Sequence, residues 1–177
     1  MRISQRENKA VHAAAYIVAA AALIVAMWPA FRGGVYVKGD LAFHLGRIES
    51  LYLGLKNGVF PLKVHFSLAN EYGYGEGFFY PDALLYGPAL LRLFGASLEC
   101  SYKVYAIAII LAAWCNMLLS LRSVLHRDSV LLAASGASVY VLSFRFMHAI
   151  YEYGSVGTYT AMAFMPMAIG GLLSILY

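Results

Sequence analysis

Charge is the scarcest commodity in this sequence. Only 12% of the 177 residues are charged, against 62% hydrophobic, and mean hydropathy is +0.68. Soluble domains carry about 25% charge and about 45 to 50% apolar residues, and a soluble domain of this size leaves roughly 30% of its unfolded surface in water. That balance excludes an ordinary soluble globule and requires lipid to cover much of the chain. Cysteine is scarce too. Cys100 and Cys115 lie in or beside one apolar segment, about 22 Å apart if it is helical, which excludes a disulfide between them. Absent as well are a P-loop, a zinc-type cysteine and histidine cluster, a nucleophile elbow, internal repeats and low-complexity tracts. The net charge of +4 does not imply nucleic acid, because the thirteen Lys and Arg are scattered and mostly flank apolar runs.

What is abundant is long apolar sequence. Four stretches have the length and apolarity to cross about 30 Å of hydrocarbon as helices: residues 11–31, 102–121, 129–147 and 155–177. The first lacks a signal-peptide cleavage site and is expected to stay as an anchor. Arg2, Arg6 and Lys9 precede it, and Arg122, His126 and Arg127 fall between the second and third. The positive-inside rule puts both clusters in the cytoplasm, so the N-terminus is expected to be cytoplasmic, with residues 32–101 and a turn near 148–154 facing outward. The sequence thus predicts an all-α multi-pass membrane protein with about four transmembrane helices. The chain ends within an apolar run, so it is expected to be the N-terminal portion of one larger membrane domain, with the remaining spans in a longer chain.

The outer loop is rich in Phe, Tyr and Leu, unlike a disordered segment. Leu41, Leu45, Ile48, Tyr52 and Leu55 recur at helical spacing and Asn57-Gly58 is a stop signal, which predicts a helix of about sixteen residues lying along the membrane interface. "YPDALLYGPALLRLFG" predicts a second helix, with Pro81 in its first turn, a kink or break at Pro88 and an end at Gly95. Between them, "NEYGYGEGFFYP" sets glycines among aromatics, as suits a loop at the headgroup layer.

Asp40, His44, Arg47 and Leu51 share one stripe of the first helix, beside its apolar face. Two readings fit this spacing. Asp40 caps the helix while His44 lies near the interface and Arg47 snorkels to phospholipid phosphates; or Asp40 is a base or metal ligand and the two cations hold an anionic, phosphate-bearing substrate. Asp82 is either a second acid or, the preferred reading, a residue stabilising the positive end of its helix, and Glu71 and Glu76 read as solvated. Arg145 and His148, costly in hydrocarbon, are candidates for a site or for headgroup contact.

Taken in order, "GDLAFHLGRIESLYLGLKNGVFPLKV", "GYGEGFFYPDALLYGPALLRLFG" and "GSVGTYTAMAFMPMAIGGL" resemble bacterial multi-span proteins labelled 6-pyruvoyl-tetrahydropterin-synthase-related, which are similar to C-type (GT-C) glycosyltransferases. The resemblance covers nearly the whole chain. It implies a GT-C-like fold in a bacterial cell membrane and an outward-facing transfer of sugar from a polyprenyl-phosphate donor to a cell-envelope acceptor. Asp40 then matches the catalytic acidic residue, which deprotonates the acceptor or helps hold a divalent metal; no DxD-type partner decides which. His44 and Arg47 match the pair that follows, as substrate contacts, and Tyr80-Pro81 matches the segment facing the site. One departure is Thr158, where the family pattern has a glutamate after Gly157; Glu152 is the nearest substitute. The alternative is a non-catalytic assembly or lipid-handling protein that keeps the fold. Transport ranks last, because paired broken helices with polar centres are missing.

Overall fold

A computed structural model describes residues 2–70, 72–125 and 130–176, with side chains from Lys9 onward. The side chains of Arg2 and Arg6, the residues Glu71, His126 and Arg127, and the ends of the third and fourth predicted spans at Ser129 and Tyr177 therefore lie outside what is described. Seven α-helices form the chain, with no named strand among the described residues: α1 Arg2–Met27, α2 Leu41–Lys56, α3 Tyr86–Leu93, α4 Leu98–Val124, α5 Val130–Val141, α6 Phe144–Tyr151 and α7 Val156–Leu176. Three stretches, Lys9–Phe31, Leu98–Val124 and Val156–Leu176, are long and apolar enough to cross a membrane, and only 22% to 28% of each apolar window is buried by protein. That leaves most of their surface for lipid, as in a multi-pass membrane protein. The all-α class read from the sequence holds.

The third predicted span differs from expectation. It is a pair of helices, α5 and α6, bent by 45° at Leu142-Ser143 and continuing to Tyr151. The turn tightens when Ser143 N–H bonds back to Tyr140 O at 3.2 Å, and the Ser143 carbonyl then accepts the N–H groups of Phe146 and Met147 to open α6. Serine suits such a helix start, and hydropathy alone cannot register the change of direction. Arg145 is exposed on α6, and His148 stacks near Phe144 at 5.3 Å.

The chain divides into two compact units. One comprises Met1–Arg32, Ile107–Tyr151 and Gly157–Tyr177. Here α1 packs along α5 through small residues, with Ala15, Ala19, Ala22 and Ala26 buried on one side and Ala133, Ala134, Ala137 and Ser138 on the other. Small side chains let the two backbones approach closely, which is the usual basis of helix packing where lipid removes the hydrophobic driving force. Pro166 inside α7 cannot donate to a carbonyl one turn back. The Met162 carbonyl so released is met from a neighbouring helix, where Tyr140 Oη donates to it at 2.6 Å, and the adjacent Ala163 O accepts Asn116 Nδ2 at 2.9 Å. A buried backbone acceptor in hydrocarbon needs that partner.

The second unit comprises Gly33–Ala106 and Glu152–Val156. It contains α2 with the boundaries that its periodicity predicts. At its end Gly58 takes φ +73°, Gly58 N–H bonds to Leu55 O at 3.1 Å and Val59 N–H to Gly54 O at 2.8 Å. This is a Schellman stop, which favours glycine because a side chain resists positive φ. The second predicted helix begins late: Ala83–Leu85 forms a 3-10 turn and α3 starts at Tyr86. Pro88 therefore sits in the first turn of α3, where its missing N–H costs nothing, and no kink results. Gly95 follows the end of α3, as expected.

The α2 helix packs against α3, and Arg92 of α3 makes a two-pronged ion pair with Glu49 at 2.9 and 2.8 Å. Of the face expected to lie on the membrane interface, Leu41 and Ile48 are buried within the unit and Leu45, Tyr52 and Leu55 half-buried. Residues 59–82 fold back as turns joined by one bridge, His65 to Tyr74. Segment 152–156 closes the start of α2, where Asp40 N–H bonds to Tyr153 O at 2.9 Å and Lys38 pairs with Glu152 at 3.3 Å.

Candidate functional site

The stripe predicted on α2 is present, but its members have different fates. Asp40 is exposed, immediately before the helix, with φ −85° and ψ −4° and no side-chain capping bond. A capping side chain needs an extended backbone at that position, so the capping reading of Asp40 is corrected and its carboxylate is left open to solvent. His44 and Arg47, one and two turns on, are buried at 5% and 2% exposure.

Arg47 is the centre of the site. Its Nη2 lies 2.6 Å from Asp82 Oδ1 and its Nε 2.7 Å from Glu76 Oε1. Nη1 meets His44 Nδ1 at 3.2 Å, and Nη2 also reaches Pro81 O at 3.4 Å. The Tyr80 ring centroid stands 5.4 Å from the guanidinium carbon. Asp82 Oδ2 in turn meets His65 Nε2 at 3.2 Å. The Glu76 contact is close but off the hydrogen-bond direction, so both Glu76 oxygens lack a directed bond, as does His65 Nδ1. Five ionisable side chains thus share one buried cluster on which the turns carrying residues 65, 76 and 82 are hung.

The electrostatics follow from that packing. Burial and the adjacent guanidinium lower the His44 pKa to about 4, with Asp40 pulling weakly the other way. Because Arg47 donates to Nδ1, His44 is neutral with its proton on Nε2. Burial raises Glu76 above the ordinary carboxylate range, with Arg47 and His65 opposing. Burial would raise Asp82 as well, but the hydrogen bonds from His65 and Arg47 outweigh it and hold Asp82 below that range.

A depressed histidine pKa binds protons more weakly in the folded state than in the unfolded chain. Its contribution to stability is therefore full above pH 6.5 and is lost as pH falls toward 4. Glu76 acts in the opposite sense, losing its contribution as pH rises through its raised value. Thermal unfolding in detergent should show a lower midpoint at pH 4.5 than at pH 7, and His44→Asn, which keeps an acceptor for Arg47, should shrink that difference. An undiminished difference in the variant would remove His44 as its source.

Contrary to expectation, Glu76 is not solvated but 1% exposed. Asp82 stands at the start of its 3-10 turn without a side-chain capping bond, and its carboxylate serves Arg47 and His65. His65 was not singled out by sequence at all. The signal available was Arg47 itself: an arginine on the packed face of a helix needs carboxylates, and Glu76 and Asp82 are acids set among aromatic and apolar residues. Glu152 pairs with exposed Lys38. Among the described residues no group of three or more His, Cys, Asp or Glu side chains gathers as a metal site. Tyr80 and Pro81 line a cleft of about 450 Å³ together with Phe60, Lys63, Asp82 and Tyr86.

Against known proteins, no family model, no curated protein and no solved structure matches this chain.

Proposed function

We propose that this protein is a membrane glycosyltransferase that moves a sugar from a polyprenyl-phosphate donor to a cell-envelope acceptor on the outer side of a bacterial membrane, within a GT-C-like fold. The observation that carries the reading is the contrast along one helix: Asp40 is open at the start of α2 while the residues one and two turns on are buried and engaged. The ordered motif resemblance supplies the reaction class. Asp40 takes the proton of an acceptor hydroxyl, the hydroxyl oxygen bonds to the anomeric carbon, and the bond from that carbon to the phosphate oxygen breaks, releasing polyprenyl phosphate. Neutral His44, one turn along the same helix, keeps an Nε2–H donor. Arg47, with its guanidinium spent on Glu76 and Asp82, is a positioning residue that fixes the frame around Asp40.

Asp40→Asn, assayed in membranes with a radiolabelled polyprenyl-phosphate sugar, is expected to lower transfer by about a hundredfold, the lower end of what a positioned base contributes. Transfer at the wild-type rate would remove Asp40 as the base. Transfer no faster in membranes carrying the protein than in membranes without it would favour the second reading, a non-catalytic lipid-handling or assembly protein, which rests on Thr158 standing at the start of α7 where the resembling family has a glutamate.

A further inference from the structure

In the unit that holds α2, nearly every cation already faces a carboxylate. Lys38 pairs with Glu152, Arg47 with Glu76 and Asp82, Arg92 with Glu49 and Lys103 with Glu99. Among the described residues, Lys56 and Lys63 have no carboxylate within ion-pair distance. Lys56 ends α2, where a cation complements the negative end of the helix. Lys63 has no helix end to complement, and its ammonium stands 6.0 Å from the Phe78 ring centroid. It is exposed and lines the cleft, and Nζ makes one bond, to Gly77 O at 3.1 Å, so two of its three N–H donors remain.

The rest of the cleft suits an anion with an apolar body. Phe60, Tyr80 and Tyr86 supply aromatic walls, flanked by Pro61 and Pro81. Tyr86 Oη accepts the Leu62 N–H at 2.9 Å, which leaves its own proton to donate. Asp82 is the lining carboxylate, and both its oxygens are occupied, one by Arg47 and one by His65. A volume of about 450 Å³ lies within the range of small-ligand sites, which are typically apolar with a few placed polar groups. Rigid aromatic rings around a lone ammonium match a lipid phosphate better than a free, fully hydrated anion, because the rings have nothing to offer the latter.

We propose that this cleft holds the phosphate end of an isoprenoid lipid phosphate, with Lys63 and Tyr86 as donors to the phosphate and Phe60 and Tyr80 against the first apolar carbons. The identity of the lipid rests on the glycosyltransferase reading, in which some cation must meet the donor's phosphate and Arg47 is buried and spent.

The test is binding, measured apart from transfer. Farnesyl phosphate is titrated by calorimetry into the full chain in phosphatidylcholine nanodiscs, with the heat from empty nanodiscs subtracted, and farnesol and inorganic phosphate are run alongside. Farnesyl phosphate should bind at least about tenfold more tightly than either control, and Lys63→Gln should weaken it about tenfold, the scale of a charge-assisted hydrogen bond. Lys63→Arg should retain most of the affinity. Phe60→Ala, at a site 71% exposed, should weaken farnesyl phosphate severalfold and leave inorganic phosphate unchanged. Equal affinity in wild type and Lys63→Gln overturns the proposal, as does inorganic phosphate binding as tightly as the lipid. Loss of binding in Lys63→Gln beside transfer no faster with the wild-type protein than without it would instead retire the transferase reading and keep the site.

Discussion

Replacing Arg47 with methionine should lower stability by about 3 to 5 kcal/mol, the usual cost of removing one partner from a buried charge cluster. The side chain is 2% exposed and stands 2.6 Å from Asp82 and 2.7 Å from Glu76. Methionine fills most of its volume, so the loss is chiefly electrostatic: two carboxylates stay behind in a site that water does not reach. Arg47→Lys should recover little, since one ammonium cannot address two carboxylates and an imidazole in three directions. The triple variant Arg47→Met, Glu76→Gln, Asp82→Asn should recover much of the loss, because it removes the stranded charge. Urea titration in detergent, followed by tyrosine absorbance, measures all three. A single Arg47→Met variant within about 1 kcal/mol of wild type would mean that the cluster is wet and the ion pairs incidental.

Gly154→Ala is the second large effect, at about 2 to 5 kcal/mol. Gly154 has φ +63°, and an added Cβ would stand 2.9 Å from Leu41 Cα and closer still to its Cβ. Positive φ costs a non-glycine residue about 1 to 2 kcal/mol and crowding a packed contact typically a further 1 to 3. The damage should spread to Asp40, whose N–H bonds to Tyr153 O, so hydrogen exchange at the Asp40 amide should quicken. Gly157→Ala is the internal control: it lies in α7 with no atom within 4 Å of an added Cβ, and it should be close to neutral. Similar behaviour of the two variants would mean that segment 152–156 is not seated against α2.

How far the sequence revealed this depends on whether a feature repeats. The α2 helix is legible to its last residue, because a 3.6-residue period and an Asn-Gly stop both mark it, and the stripe of His44, Arg47 and Leu51 does fall on one face. The apolar spans are legible from composition. The bend at Ser143 is not, since apolarity continues across it and only backbone hydrogen bonding changes. Nor are the partners of Arg47, because Glu76 opens one 3-10 turn, Asp82 stands just before another and His65 is on an isolated bridge, where no period links them to a helix up to 35 residues away. Pro88 was misread for a related reason: a proline's meaning depends on which turn of the helix it occupies, and the helix start depends on the turns before it.

The hydrogen bond between Asp40 and Tyr153 also constrains how the chain is threaded. A bilayer crossed by α4 has residues 98 and 124 on opposite sides, yet residues 40 and 153 share one small unit. The chain must therefore come back between residues 124 and 152, and the bent pair α5–α6 is the apolar stretch available to do so, with twenty helical residues covering about 30 Å at 1.5 Å each. The pair is therefore long enough to act as one broken span, its two halves meeting at 45°.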